Sequence, residues 1–294
     1  MVLASFVADS LALGAHWIYD TERIRKNLGR VDKLLKPALD SYHAGKGQGE
    51  WTHYGDQALV LLESMAARQG FDLEDFSTRW QSLFDNYHGY FDEATKETLR
   101  NFSRGKGPEA SGSPSLDLAG ASRIAPVVYG YRDEIDTLLL SCRAQTKMTH
   151  NSPHVVDSAE FFARVILKIW EGASPVAAME KTAARNFQDS PIFEWVRAGI
   201  GSADRETLSA IARFGQSCHT EEAFPGTVHL IARYEEDLRE ALVQCVMSGG
   251  DSASRGMIVG MVLGAHLGEM AIPGDWISGL ARGEEIINLL ENLP

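Results

Sequence analysis

Apolar residues recur at helical spacing along most of this chain. Leu59, Val60, Leu61 and Met65 share one stripe with Ser64 at its edge. Phe161, Phe162, Val165, Ile166 and Ile169 form another, and each stripe predicts an amphipathic helix. Leu242, Val243 and Val246 lead to a break at Gly249–Gly250. Beyond it, Ile258, Val259, Met261, Val262 and Leu263 are apolar on most sides of a helix, which predicts an enclosed, central one. The last helix is expected from about Trp276 to Leu290. Alternating β-branched runs are almost absent. The strongest strand candidate is Val127 to Tyr131, directly after Pro126.

The predicted ends carry chemical punctuation. Asp72 followed by Glu74 and Asp75 favours a helix N-terminus. Ser152-Pro153 and Ser174-Pro175 each offer an N-cap with proline at the first helical position. Gly70 and Gly172 stand where helices stop. The pattern predicts roughly ten to fourteen helices without an internal repeat, in one all-α domain over residues 1–294. The segment Ser103–Asp117, rich in Gly, Ser and Pro, is the strongest candidate for a mobile segment and lid.

Charge narrows the function classes. With 28 basic against 40 acidic side chains the net charge is −12, which argues against a nucleic-acid footprint. The densest basic run, Arg23 to Lys36, is mixed with apolar residues and reads as a solvated helix face and its loop. The apolar start, Met1 to Leu13, is too short to span a membrane and is interrupted by Asp9. Cys142, Cys218 and Cys245 form no CxxC, which fits a reducing compartment. A cytoplasmic protein without a membrane partner is expected, and the oligomeric state is not legible.

Helical packing leaves four polar clusters unexplained. Asp9 lies on an otherwise apolar helix within Ala8–Asp20. A buried carboxylate there needs a partner, either a ligand or a neighbouring helix to cap. Tyr42–Gln57 is a glycine-rich loop running into a helix, with Tyr54, Asp56 and Gln57 at the helix start. Backbone N–H groups are free at such a start. In Asp117–Pro126, Gly120, Ala121 and Ser122 permit close backbone approach, and Arg123 suits a phosphate or carboxylate. Gly249-Gly250-Asp251-Ser252-Ala253-Ser254 is a second glycine turn feeding a helix. Thr149-His150 is a fifth contributor.

Taken in order, these segments resemble the ADP-ribosylglycohydrolase family. Ala8-Asp9-Ser10-Leu11-Ala12-Leu13-Gly14 is similar to its N-terminal Gly-Asp-Ala-Leu-Gly helix. Tyr54-Gly55-Asp56-Gln57 falls where the family has Thr-Asp-Asp-Thr. Ala121-Ser122-Arg123-Ile124-Ala125-Pro126 resembles Ala-Met-Arg-x-x-Pro, and Thr149-His150 matches a Thr-His pair. Gly249–Ser254 is similar to Gly-Gly-Asp-Thr-Asp-Thr/Ser.

The resemblance implies a compact all-α domain in which two Mg²⁺ or Mn²⁺ ions on the acidic motifs position ADP-ribose for glycosidic hydrolysis. Here the four expected metal carboxylates are reduced to Asp56 and Asp251, because Tyr54, Gly55 and Ala253 replace the other motif positions. Asp56, Asp251 and Ser254 therefore leave room for one weakly held Mg²⁺ or for none. The implied activity is hydrolysis of an ADP-ribosyl or related ribosyl bond, with Asp56 and Asp251 as the catalytic pair. Asp9, Tyr54, Gln57, Gly120, Ala121, Ser122, Arg123 and His150 are the expected substrate-binding residues. The alternative is an inactive relative that binds ADP-ribose or a nucleotide, or that keeps only the fold.

Overall fold

The computed structural model describes residues 1–293. Its first helices are α1 (Val2–Ala12), α2 (Thr21–Leu28), α3 (His53–Arg68), α4 (Leu73–Asp85) and α5 (Glu93–Ser103). Next come α6 (Ala119–Ser122), α7 (Ala125–Gly130), α8 (Ile135–Lys147), α9 (Pro153–Trp170) and α10 (Pro175–Asn186). The chain continues through α11 (Pro191–Ile200), α12 (Thr207–Phe214), α13 (Thr220–Arg233) and α14 (Leu238–Met247). It closes with α15 (Ser252–Leu267), α16 (Gly274–Ser278) and α17 (Gly283–Glu291). Only two isolated β-bridges occur among the described residues, so the fold is all-α. No helix there is long and apolar enough to cross a membrane.

α1 and α15 form the centre. Every residue of α1 is buried, as is α15 from Ser252 to Gly264. Small side chains let these two backbones meet. A Cβ built on Gly260 would lie 2.4 Å from the Ala4 carbonyl oxygen, and one on Gly264 would lie 2.7 Å from the Ala4 Cβ. The helix predicted to be central is so because glycine replaces bulk along the contact face. The glycine turn before it is equally constrained. Gly249 and Gly250 both have left-handed φ, 68° and 66°, a region L side chains rarely enter.

Several expectations are corrected. Val127 to Tyr131 is not a strand, because α7 runs through it. Val127 and Val128 are both buried, and burial of consecutive residues suits a helix turn inside the core better than a two-sided strand. The helix expected from Trp276 to Leu290 is two helices. The link between them leaves the helical ladder so that Ala281 N–H can donate to the Gly49 carbonyl at 2.9 Å.

The Ser103–Asp117 segment is tied down rather than free. Asn101 Nδ2 donates to the Ser111 carbonyl, Ser111 Oγ to the Met148 carbonyl, and Ser113 Oγ to the Thr149 carbonyl, all within 2.9 Å. Caps match in part. Asp72 accepts from Asp75 N–H and Ser174 from Ala177 N–H, whereas the Ser152 hydroxyl makes no cap bond.

Candidate functional site

The starts of α3 and α15 converge on the end of α1. Asp9 anchors the first of them. It is fully buried and accepts from Thr52 N–H and Thr52 Oγ1, each at 2.7 Å. Burial raises its pKa to about 7, and the Thr52 bonds offset part of that rise. Gly55 makes the approach feasible, since a Cβ there would lie 2.5 Å from the Trp51 Cβ and 2.8 Å from Asp9 Oδ2. Thr52, not Asp56, is the N-cap of α3.

Asp56 therefore has its carboxylate free for other partners, and two take it. Lys46 Nζ and the Tyr87 hydroxyl each donate to Oδ2 at 2.5 Å. The Lys46 ammonium also sits 5.0 Å from the centre of the Tyr87 ring, a cation–π distance. Both members of the ion pair are largely buried, at 10% and 16% side-chain exposure. Lys46 lies in the loop before α3, and Tyr87 just after α4.

At the other end, Asp251 caps α15 by accepting from Ser254 N–H at 3.3 Å. Its Oδ2 is buried with no partner, as is the Ser254 hydroxyl. Burial raises the Asp251 pKa to about 6, with the Arg255 charge opposing. His16 Nδ1 stands 3.7 Å from Asp251 Oδ1 and accepts from Ala253 N–H. Burial holds the His16 pKa well below the usual histidine value.

An aromatic cluster joins these ends. Trp17 packs against His43, His53, Tyr54, Tyr42 and Tyr90. Tyr54 stands edge-on to His16. Trp17 itself has left-handed φ, 63°, and its N–H donates to the Gly250 carbonyl. Such a conformation costs of order 1–3 kcal/mol and gathers at functional sites. Unpartnered buried atoms gather here too: His16 Nε2 and both nitrogens of His43. Next to them opens a cavity of about 220 Å³ lined by His16, Trp17, Tyr19, Asp20, Arg23 and Tyr42, among others. A larger hollow of about 640 Å³, between Lys168 and Arg185, contains none of these groups.

The remaining expected residues form an internal network. Gln57 Oε1 accepts from Trp80 Nε1 and Arg123 Nη1, and Gln57 Nε2 donates to the His53 carbonyl. Arg123 is buried and directs its other bonds to Gln145 and Thr149. Burial lowers its pKa to about 10. With most of its N–H groups bonded to neutral protein acceptors, Arg123 offers no open fork to a phosphate. Gly120, Ala121 and Ser122 lie in α6, all buried. The His150 ring packs on Gly120, where a Cβ would fall 2.6 Å from the His150 Cγ. His150 pairs through Nδ1 with Thr149 Oγ1 at 2.9 Å. Burial lowers its pKa to about 4, with the Arg123 charge adding to the effect against Asp92.

Residues able to hold a cation also occur. Ligand atoms of Asp92, Asp117 and His150 lie within 4.8 Å of one another, as do those of Asp117, Cys218 and His219. Neither group includes Asp56, Asp251 or Ser254. Sequence reasoning missed Lys46, Tyr87 and Asp92. Asp92 reads as an ordinary helix cap, which it also is. Lys46 sits in a glycine-rich loop whose path the sequence pattern does not fix. The Cys218-His219 pair was the one visible signal for the second group.

Known proteins share this architecture. A solved structure titled "ADP-ribosylglycohydrolase-related protein complex" superposes with a TM-score of 0.74 at 22% identity, covering 99% of this chain and 94% of that one. Crystallin J1A of Tripedalia cystophora is 26% identical over 99% of this chain and 94% of its own length. ADP-ribosylarginine hydrolase Tri1 of Serratia proteamaculans is 24% identical over 83% of this chain and 67% of its own. The ADP-ribosylglycohydrolase family profile matches residues 1–294, and the chain belongs to that family.

Proposed function

We propose that this protein is a divergent hydrolase of an ADP-ribosyl or related ribosyl glycosidic bond, working where the starts of α3 and α15 meet the end of α1, with Asp56 and Asp251 and without the family's pair of divalent ions. The observation that carries this reading is Lys46 on Asp56. A metal-binding carboxylate must turn its oxygens toward the ion, and here Oδ2 is taken by an ammonium and a phenol. Ala253 supplies no oxygen at the second motif. The donor set therefore does not fit two cations, and no step is assigned to them.

The two carboxyl groups differ in their partners. Asp251, raised to about 6 by burial, retains a proton on a fraction of molecules near neutrality and has a free Oδ2. It suits protonation of the leaving group. Asp56, ion-paired to Lys46 and bonded to Tyr87, suits stabilisation of positive charge on the ribosyl carbon or orientation of a water. Oxocarbenium-type cleavage requires an acid for the leaving group and a second group that steadies the ribosyl carbon or its water. Trp17 and Tyr42 form an aromatic wall for the base or sugar. The 220 Å³ cavity is below the usual range for ligand pockets, about 300–1,000 Å³. Tyr42, 59% exposed, stands at its rim, so a nucleotide would have to displace this side chain to enter.

The test is release of ADP-ribose from ADP-ribosylated protein and from small ribosyl glycosides. Turnover that falls at least about a hundredfold in Asp251→Asn agrees with general-acid catalysis. Unchanged turnover contradicts it. A second reading, ligand binding without cleavage, is favoured by the full burial of Asp251. It predicts an ADP-ribose affinity and no turnover from the unaltered protein.

A further inference from the structure

The end of α9 lies between two hollows, at the far end of α15 from Asp251. The first, of about 460 Å³, has Tyr129, Ile135, Leu167 and Trp170 in its lining, together with Arg132 and Asp133. α15 runs from Ser252, beside Asp251, to Gly264 in this same lining, about 18 Å along the helix axis. The second hollow, of about 640 Å³, is lined by Lys168, Glu171, Lys181 and Arg185 around small residues. Glu171 borders both, so the two adjoin. The turn between them is fixed, because the N–H groups of Glu171, Gly172 and Ala173 donate to α9 carbonyls at 2.9–3.0 Å.

The first hollow leaves apolar side chains open to solvent. Tyr129 is 36% exposed, Ile135 48% and Trp170 39%. Single exposed apolar residues are ordinary, but several in one concave patch mark a contact surface, and Trp and Tyr are the types that anchor such contacts. The second hollow supplies charge. Lys168 is paired with Glu171 at 2.8 Å. Lys181 and Arg185 are exposed, and among the described residues neither has a carboxylate partner. They stand one turn apart on α10, where like charges repel. In a chain of net charge −12, this is a local excess of positive charge beside an open aromatic patch.

We propose that this surface binds an acidic segment of another protein, anchored by one large apolar side chain. The apolar side chain enters between Tyr129, Ile135 and Trp170, and the flanking carboxylates reach Lys181 and Arg185. Complementary charge selects the partner and speeds the encounter, while burial of the apolar side chain supplies the hydrophobic gain. Because the turn is already fixed by its own hydrogen bonds, little ordering is needed on this side. A membrane fits less well, since Asp133 and Glu171 would meet an anionic lipid surface with like charge. Two whole copies of net charge −12 repel one another, which disfavours self-association through this face.

The test uses the full chain and fluorescein-labelled peptides of Asp and Glu whose central residue is Trp, Phe, Leu or Ala. Fluorescence anisotropy reads the dissociation constant at low and at raised salt. The proposal expects saturable binding of the Trp, Phe and Leu peptides that weakens with salt, and binding of the Ala peptide at least about tenfold weaker. Lys181→Glu and Trp170→Ala each weaken binding by at least about tenfold. Ile135→Asn, at a half-exposed position, gives the same loss without removing an aromatic ring. Lys26→Glu makes the same charge change at an exposed position of α2 and leaves binding as it was. No binding of any peptide overturns the proposal, as does equal binding of the Ala peptide, binding that survives Lys181→Glu, or an equal loss in Lys26→Glu. Cosedimentation with phosphatidylserine vesicles that is lost in Trp170→Ala, without peptide binding, overturns it in favour of a membrane surface. A concentration-dependent mass in analytical ultracentrifugation that falls to one chain in Trp170→Ala overturns it in favour of a second copy.

Discussion

Replacing Lys46 by methionine tests how Asp56 is held. The substitution preserves most of the apolar stem and removes only the ammonium, which lies 2.5 Å from Asp56 Oδ2. Breaking a buried ion pair from one side costs about 3–5 kcal/mol, because it strands the partner charge. The Tyr87 bond to the same oxygen survives and is worth roughly 1.5–3 kcal/mol as a hydrogen bond to a charged group. The cost should therefore fall near the lower bound, about 3 kcal/mol. At about 2–4 °C per kcal/mol for a chain of this size, Tm drops by about 6–12 °C. Differential scanning calorimetry reads this directly. In the Lys46→Met background, Asp56→Asn should cost little more, because the stranded charge is then gone; the pair must be strongly non-additive in a double-mutant cycle. Mg²⁺ should raise the Tm of Lys46→Met and leave that of the unaltered protein where it is. A fall in Tm below about 2 °C, or additive effects of the two substitutions, would refute the claim that Lys46 balances Asp56.

Other expectations follow from the same geometry. Asp251 has a folded-state pKa of about 6 against an ordinary value of 3.8, so the folded protein binds the extra proton between these pH values. Its contribution to stability is then greatest below about pH 4 and is lost as pH rises through 6, by roughly 3 kcal/mol at most. Urea titrations of unaltered protein and Asp251→Asn should diverge across that window in that direction; parallel curves would contradict it. Gly120→Ala places a methyl 2.6 Å from the His150 ring, and overpacking of this kind costs about 1–3 kcal/mol in urea unfolding. A neutral outcome would mean that the ring is free to move.

Much of the fold was legible because helical periodicity and caps are local signals. The stripe Phe161–Ile169 and the cap Asp72 needed only their own neighbours to be read. Val127–Tyr131 misled because β-branched content is a weak local preference that core burial overrides. The break between α16 and α17 was invisible because its cause is Gly49, more than two hundred residues away. At the site, the acidic motifs and their depletion were readable as a pattern, but the compensation was not. Lys46 reaches Asp56 across an irregular loop with no period. Arg123, a natural phosphate ligand by residue type, is committed to Gln57, Gln145 and Thr149 by contacts that only the packed structure brings together.

The most direct test is a calorimetric titration with ADP-ribose, run once with Mg²⁺ and once in EDTA. With Lys46 standing on Asp56, the affinity should be the same in both. Binding that appears only with Mg²⁺ would contradict it, because the motif would then be holding a metal that this geometry does not accommodate.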